Sequence, residues 1–374
     1  MNLSFKNIFF ALGSIFLILL SLIYARTLLI PIAFALLISF ILLPLVNRLE
    51  KWGVNRIMAA IFSLVAVILI LTATVGFISS QLLQLSQELT TFQDRLIKIF
   101  TEVSVYFNEH FSFLGELSKE DIYQRIKNLL ESSAGYLVGQ TFSNTASFVA
   151  GLVATVIYAF LILIYRKGLT NAVAHFYTEE NRPRAIYMFK KIQQVGQKYL
   201  VGMLTLIIII GVVNSVGLWI IGVDSPFLFG FLGALLSVIP YVGTVMGAVI
   251  PILYVFIAQD SLGKAIAVAI LFWAVQLVTD NFLSPKIVGG NLRVNALAAI
   301  LSLIIGALVW GVAGMILFLP FTAMLLIVSE EFKELKPLAL MIGTYESDKK
   351  AQSGNAVIWI KKIISWAKKV FTGR

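Results

Sequence analysis

The stretch that decides the fold is 227–258, FLFGFLGALLSVIPYVGTVMGAVIPILYVFIA. It contains no charged residue and is longer than the ~20 residues that a helix needs to cross the hydrocarbon core of a membrane. Pro240 and Gly243 interrupt it near its middle, and Pro251 interrupts it again. Inside lipid, backbone groups freed by such a break must face protein or a wet cavity. The stretch therefore predicts a membrane segment that breaks inside the protein.

A second apolar segment, 296–329, is also too long for one simple span. Gly306, Gly311, Gly314 and Pro320 interrupt it. A pair of interrupted segments points to the binding site of a transporter. Two arrangements fit both segments: re-entrant hairpins, or long tilted or kinked helices whose glycines allow close packing.

The rest of the chain is equally apolar. Of 374 residues, 59% are hydrophobic and 13% charged, and the mean hydropathy is +0.93. We predict an all-α polytopic membrane protein with about eight membrane segments, the interrupted pair included. Its first span is retained, because no small-residue cleavage site follows it. Five uninterrupted spans are predicted near 5–24, 28–47, 57–79, 147–165 and 200–222.

The composition excludes several kinds of chemistry. Cysteine is absent, and the two histidines, His110 and His175, are far apart in the sequence, so no metal site or cofactor is expected. We find no Ser-His-Asp signature and no phosphate-binding glycine loop, and we therefore expect no enzyme. The net charge of +10 lies in separated loops. That distribution does not predict nucleic-acid binding, which needs a continuous basic groove with stacking aromatics.

The basic residues predict the orientation, because cytoplasmic loops collect Lys and Arg. Loops 48–56 and 166–199 and the tail from 330 are basic, whereas 81–146 holds five basic and eight acidic residues. Both termini are therefore predicted in the cytoplasm and 81–146 outside. If the interrupted segments are hairpins, Lys286 and Arg293 fall inside; if both cross fully, these residues fall outside. The charge rule favours hairpins.

Two extramembrane segments show helical patterns. Apolar residues recur at heptad spacing from Leu82 to Tyr106, which predicts either packing against copies of this chain or a hairpin within it. Segment 356–371 predicts an amphipathic helix on an anionic inner leaflet, or a solvated tail. The predicted organisation comprises N-terminal membrane helices (1–80), an extracytoplasmic helical module (81–146), a membrane helix with a cytoplasmic amphipathic segment (147–199), a transport core (200–329) and a basic amphipathic tail (330–374).

Asp280 is the leading candidate for a functional side chain. An acid near or within membrane depth costs several kcal/mol unless it is paired or hydrated, and such residues usually serve function. Asp280 could bind a coupling proton or cation; alternatively, it pairs with Lys286 or caps a helix. Asn214 and Ser215, in mid-span, are equally consistent with hydrogen bonds between helices. The candidate pathway residues are Pro240, Tyr241, Gly243, Thr244, Gln276, Asp280, Asn281, Asn295, Gly311 and Gly314.

Several ordered motifs resemble those of the autoinducer-2 exporter family of bacterial membrane proteins. They are Leu28–Pro31 through Pro44-Leu45-Val46, Ile239-Pro240-Tyr241-Val242-Gly243, Asp280-Asn281-Phe282-Leu283-Ser284-Pro285-Lys286, and Trp310-Gly311-Val312-Ala313-Gly314-Met315 followed by Pro320. The resemblance covers nearly the whole chain. It implies a homo-oligomeric transporter of the inner membrane, and its members have been linked to export of small signalling molecules and to sodium–proton exchange.

The leading hypothesis is thus a secondary transporter that exports a small solute, such as autoinducer-2, with the lipid bilayer and further copies of itself as its partners. One alternative is a sodium–proton antiporter, although Asp280 is its sole good carboxylate candidate at depth. An alternative of another class is a membrane scaffold or oligomerisation protein, which the heptad pattern before Tyr106 suggests.

Overall fold

The computed structural model describes residues 5–86, 148–239, 242–289 and 293–344. These residues form helices joined by short turns, and the one β-bridge among them pairs Val294 with Gly343. The predicted all-α membrane fold is confirmed. The helices are α1 (Phe5–Tyr24), α2 (Arg26–Lys51), α3 (Arg56–Ser86), α4 (Phe148–Ala174), α5 (Arg182–Ile221), α6 (Pro226–Leu236), α7 (Val242–Ala258), α8 (Leu262–Val278), α9 (Ala296–Glu331) and α10 (Lys336–Ile342).

Helices α2, α3 and α4 pack around an apolar cluster that includes Leu42, Leu64 and Leu163. At one end of this group an ion-pair network joins all three helices. Arg166 of α4 donates to Glu50 of α2 at 2.6 Å, and Arg56 of α3 lies 3.7 Å from the same carboxylate. These ion pairs hold together the ends of α2, α3 and α4 that are predicted to face the cytoplasm.

Helix α5 is the common support of the second half of the molecule. It begins with Pro183 in its first turn and ends at Gly222, whose φ of +78° suits glycine. It starts 18 residues before the predicted span 200–222, because the basic amphipathic segment continues the same helix. It crosses the boundary predicted between 199 and 200 without a break, and helices α2, α6, α8 and α9 all pack against it.

Helices α6 and α7 form an antiparallel pair, which we call hairpin 1 (226–258). Near its tip, Gly233 and Gly247 meet so closely that a Cβ on Gly247 would lie 2.9 Å from the Cα of Gly233. Toward its base, the rings of Phe229 and Tyr254 lie 4.7 Å apart. The chain therefore folds back within the first interrupted segment.

Helix α9 also folds back on itself, and we call it hairpin 2 (296–331). Gly311 adopts φ +60° and ψ −137°, which reverses the chain between arms 296–310 and 312–331. The arms touch where Gly306 meets Gly314. The hydroxyls of Ser302 and Thr322 lie 2.7 Å apart across them. The second interrupted segment therefore does not continue as one long kinked helix.

Six helices in the described ranges are long and apolar enough to cross a membrane. One of them is α9, but its reversal at Gly311 means that its length is not a single crossing. Helix α1 is a further apolar helix, and α6 and α7 are shorter ones. The segment 87–147, which holds nearly all of the predicted extracytoplasmic module, and the tail from 345 lie outside the described residues, so the predictions for them stay predictions.

Candidate functional site: the tips of two hairpins

Helix α5 provides a scale on which the two hairpins can be compared. Hairpin 1 runs antiparallel to it from the α5 C-terminus: Gly230 packs on Ser215, and the ring of Phe231 on Gly211. Hairpin 2 starts near the opposite end of α5, and its second arm runs back along it: Glu331 pairs with Arg184, and Met324 packs on Gly196. If each arm continues along α5 at the same rise per residue, these contacts extrapolate to about residues 202–205 of α5 for the tip of hairpin 1 and to about residues 204–209 for the tip of hairpin 2.

Helix α8 brings Asp280 to the same level. Leu271 packs on Gly217 of α5, and the backbone of Ile287 on Gly202. Asp280, between them, therefore lies beside about residue 208 of α5. By this extrapolation, the two hairpin tips and the candidate acid lie within about two turns of one another along α5, although they come from three separate parts of the chain.

The backbone around Asp280 departs from the α-helix. After Val278 the chain continues in two π-helical turns, Thr279–Leu283 and Pro285–Gly289. Pro285 has no N–H to donate, which favours a wider turn. The buried Thr279 donates its hydroxyl to Val275 O at 2.8 Å. Single π-helical turns within α-helices occur frequently at functional sites, because they redirect side chains.

Asp280 itself is exposed and accepts a hydrogen bond from Gln276 Nε2 at 2.9 Å. Asn281 is exposed and donates to Leu277 O at 2.8 Å. Lys264 and Lys286 bracket a length of about 33 Å, close to the thickness of the hydrocarbon core. Asp280 lies about 9 Å along the helix from Lys286. The acid thus has an amide partner and lies within the length between Lys264 and Lys286, just after the end of α8.

The tip of hairpin 1 depends on Gly243. Its N–H donates to Ile239 O at 2.9 Å, and a Cβ there would overlap the carbonyl oxygen of Leu236. Thr244 follows it, partly buried, in the first turn of α7. Pro240 and Tyr241 lie outside the described residues. A side chain at position 243 would prevent this close approach of α6 and α7.

The tip of hairpin 2 is Gly311, which is exposed, and Gly314 is buried at the crossing of the arms. Next to the tip, Trp310 donates its indole N–H to Leu22 O of α1 at 2.9 Å and packs edge-on against Phe318. Sequence reasoning missed this bond between tip and N-terminal helix, because no local pattern signals a partner 288 residues away.

Asn295 lies at the opposite end of hairpin 2 from the tip. Its Oδ1 caps α9 by accepting from Ala298 N at 2.8 Å, and its Nδ2 donates to Met341 O at 2.6 Å and Gly343 O at 3.2 Å. The structure therefore separates Asn295 from the candidate residues at the tips. Its position directly before an apolar helix was a signal for capping.

A match to a family model decides the class of protein. The model of the AI-2E family transporters matches residues 9–334, which span both hairpins and α8. The chain belongs to the AI-2E transporter family. It is therefore a multi-pass membrane protein and a transporter, as the resemblance of its motifs implied.

Several proteins that are similar to this chain at low sequence identity are named as transport proteins. The chain is 26% identical to the putative transport protein YhhT of Escherichia coli (strain K12), over 90% of this chain and 94% of that protein. It is 25% identical to the AI-2 transport protein TqsA of the same strain, over 88% and 94%. For the putative transport protein YrrI of Bacillus subtilis (strain 168), the identity is 23% over 83% and 88%.

Proposed function

We propose that this chain is a secondary transporter that exports a small solute across the bacterial inner membrane, along a pathway between the tips of hairpins 1 and 2. The observation that carries the proposal is the shared level of both tips and Asp280 along α5. Transporters bind their cargo near mid-membrane between interrupted helices. Hairpins that approach this level from opposite ends of α5 are suited to closing a site from either side.

The proposed topology makes both hairpins re-entrant. With both termini in the cytoplasm, the base of hairpin 1 beside Gly222 faces outward, and the base of hairpin 2 beside Arg293 faces inward. Helix α6 has 11 residues, or about 16 Å, too little for a full crossing. Single cysteines at Lys264 and Lys286 test this arrangement in the cysteine-free chain, because hairpins put Lys264 outside and Lys286 inside. The opposite labelling would contradict it.

Autoinducer-2 is the first solute to test, because one relative is named as its transport protein. Inside-out vesicles that hold the protein should accumulate it, and vesicles without the protein should not. The functional unit is proposed to be a homo-oligomer, which cross-linking in native membranes would detect as discrete multiples of one chain.

The coupling role of Asp280 is tested by Asp280→Asn, which removes the charge and keeps the shape. We expect solute flux to fall at least about tenfold, equivalent to about 1.4 kcal/mol in activation free energy. Asp260→Asn is the matched control, since Asp260 is an exposed acid at the base of hairpin 1, and its flux should stay within about twofold. Unchanged flux in Asp280→Asn would remove that residue from the mechanism.

The sodium–proton antiporter remains the second candidate, since the carboxylate of Asp280 is suited to bind either ion. Sodium-dependent proton flux in vesicles free of every organic solute would favour it. Loss of that flux in Asp280→Asn, with no solute accumulation by the parent, would replace the export proposal.

A further inference from the structure

Two adjacent polar side chains of α5 each have a buried oxygen that makes no hydrogen bond to the described part of the protein. Asn214 is 2% exposed and Ser215 is 0% exposed. Neither Asn214 Oδ1 nor Ser215 Oγ makes a hydrogen bond to any of the described residues. The interhelical hydrogen bonds that their sequence positions suggested are therefore not made in this structure.

Most of the buried serines and threonines in the described residues do make a hydrogen bond. A helical hydroxyl can satisfy itself by rotating to the carbonyl four residues back. Ser329 is the one further residue in the described part of the chain whose buried hydroxyl lacks a partner. The buried residues that make the bond to the carbonyl four residues back are Ser39, Ser63, Thr155, Thr279 and Ser302.

Ser215 lies where α5 meets hairpin 1. Ser215 Oγ lies directly against Gly230, where a Cβ would overlap it. One turn away on either side, Gly211 packs on Phe231, and Leu218 joins an apolar cluster with residues of α7 and α8. Asn214 lies about 9 Å along α5 from the level of Asp280 and the hairpin tips. Along α5, the orphaned oxygens therefore lie between the level of Asp280 and the base of hairpin 1.

The chemistry of the pair limits what it can bind. A buried acceptor without a donor destabilises a fold by about 1–3 kcal/mol, so stability alone does not account for the pair. A bare cation would need about six oxygen ligands, whereas the neighbouring cluster of Leu218, Phe229 and Phe272 is apolar. A neutral group that donates an O–H or N–H meets the need of both oxygens without bringing charge into the core.

We propose that Asn214 and Ser215 form a subsite for a hydrogen-bond donor group, a hydroxyl or an N–H, of the transported solute. This rests on the proposed export function and specifies the class of its cargo: neutral solutes with donor groups. Opening of the contact between α5 and hairpin 1 during transport exposes the subsite, and closure buries it as in this structure.

Accessibility of single cysteines tests the subsite without knowledge of the solute. Asn214→Cys and Ser215→Cys are made in the full cysteine-free chain, reconstituted in vesicles and treated with the small thiol reagent MTSEA. The control is Ser39→Cys on α2, since Ser39 is as buried but bonded to its own helix. We expect both α5 cysteines to react at least tenfold faster than the control. Rates equal to the control would overturn the proposal.

A matched pair of probes tests the donor class. Ethylene glycol offers two hydroxyl donors, whereas 1,2-dimethoxyethane has the same backbone and acceptors alone. Ethylene glycol should slow labelling of Ser215→Cys at least threefold and 1,2-dimethoxyethane should not. Equal protection by both, or by neither, would overturn the assignment of a donor ligand.

Asn214→Leu separates a binding role from a structural one. The substitution replaces the orphaned amide by an apolar group of similar volume, so the apparent Tm in detergent should rise while solute flux falls at least tenfold. A lowered Tm with unchanged flux would show that Asn214 serves the fold and would overturn the proposal. A parent protein without any solute flux, but with reactive cysteines at 214 and 215, would contradict the export function and leave an accessible polar site.

Discussion

Hairpins 1 and 2 share one design but are fastened differently. Each is an antiparallel helix pair whose arms cross at glycines, Gly233 with Gly247 and Gly306 with Gly314. Hairpin 1 is closed at its base by exposed polar groups, with Gln259 donating to Asp224 at 2.6 Å. Beside it, Lys264 donates to Gly222 O at 2.9 Å. Apolar contact with α5 and α8 adds to these bonds.

Hairpin 2 is bonded at its base, middle and tip. At the base Arg293 makes two contacts with Glu330, at 2.9 and 3.2 Å, and Asn295 holds the chain after α10. Ser302 and Thr322 join the arms, and Trp310 bonds α1. The difference indicates that hairpin 1 separates from α5 at a lower free-energy cost than hairpin 2 separates from its neighbours, because ion pairs hold the base of hairpin 2 and residues 226–258 contain no charged side chain.

The largest effect is expected at the glycine crossings. Gly314→Ala places a Cβ onto the backbone of Gly306, and Gly247→Ala places one 2.9 Å from the Cα of Gly233. Overpacking against backbone costs about 1–3 kcal/mol, and we expect the upper end for Gly314→Ala and the lower end for Gly247→Ala. Apparent Tm values in one detergent measure the difference. Gly151→Ala in α4, where nothing lies within 4 Å, should be neutral; equal losses at 314 and 247 would contradict the ranking.

The bases of the hairpins should differ next. Asn295→Ala removes a helix cap and two anchoring bonds, and we expect a loss of about 2 kcal/mol. At hairpin 1, Gln259→Ala removes an exposed hydrogen bond, and we expect a loss of about 0.5 kcal/mol or less. Chemical unfolding in mixed micelles compares the two variants. A larger loss for Gln259→Ala would reverse our view of which hairpin is more firmly fastened.

The smallest effect concerns backbone strain at the bases. The positive-φ residues other than glycine in the described ranges are Ser225 (φ 53°), Asp260 (φ 49°) and Arg293 (φ 51°), and all three flank hairpins. Ser225→Gly should stabilise the protein by about 0.5 kcal/mol, since the left-handed region costs other residues about 1–2 kcal/mol and glycine loses some of that in entropy. Ser237→Gly, with φ −61°, is the control and should destabilise. A lower stability of Ser225→Gly would mean that contacts of the Ser225 side chain stabilise the protein by more than its backbone conformation costs.

Much of the fold followed from the sequence, for physical reasons. Apolar length predicted the spans, and Pro and Gly predicted where the two long segments break, since both disturb helices locally. The start of α5 was not predicted, because the apolar stretch begins only after Lys198, whereas the helix begins at Arg182. The site itself stays a prediction, and only some of its candidate residues are recognisable from the sequence. Asp280 and Gly311 can be recognised in the sequence, because a charge and a glycine stand out in apolar runs. The level of the tips along α5, the hydrogen bonds of Asn295 to Met341 and Gly343, and the unpartnered oxygen of Asn214 depend on tertiary contacts, which the sequence does not show.

The hydrogen bond from Trp310 to Leu22 has a consequence for biosynthesis. Its partners are 288 residues apart, and at ~5–20 residues per second the ribosome needs about 15–60 s to make the chain between them. Helix α2 likewise reaches its final packing late, because its residues Ala33 and Leu37 pack against Leu317 and Met324 of hairpin 2. The first two helices are therefore synthesised long before their final neighbours, and during that interval lipid, or a membrane chaperone, must cover the surface that hairpin 2 later occupies.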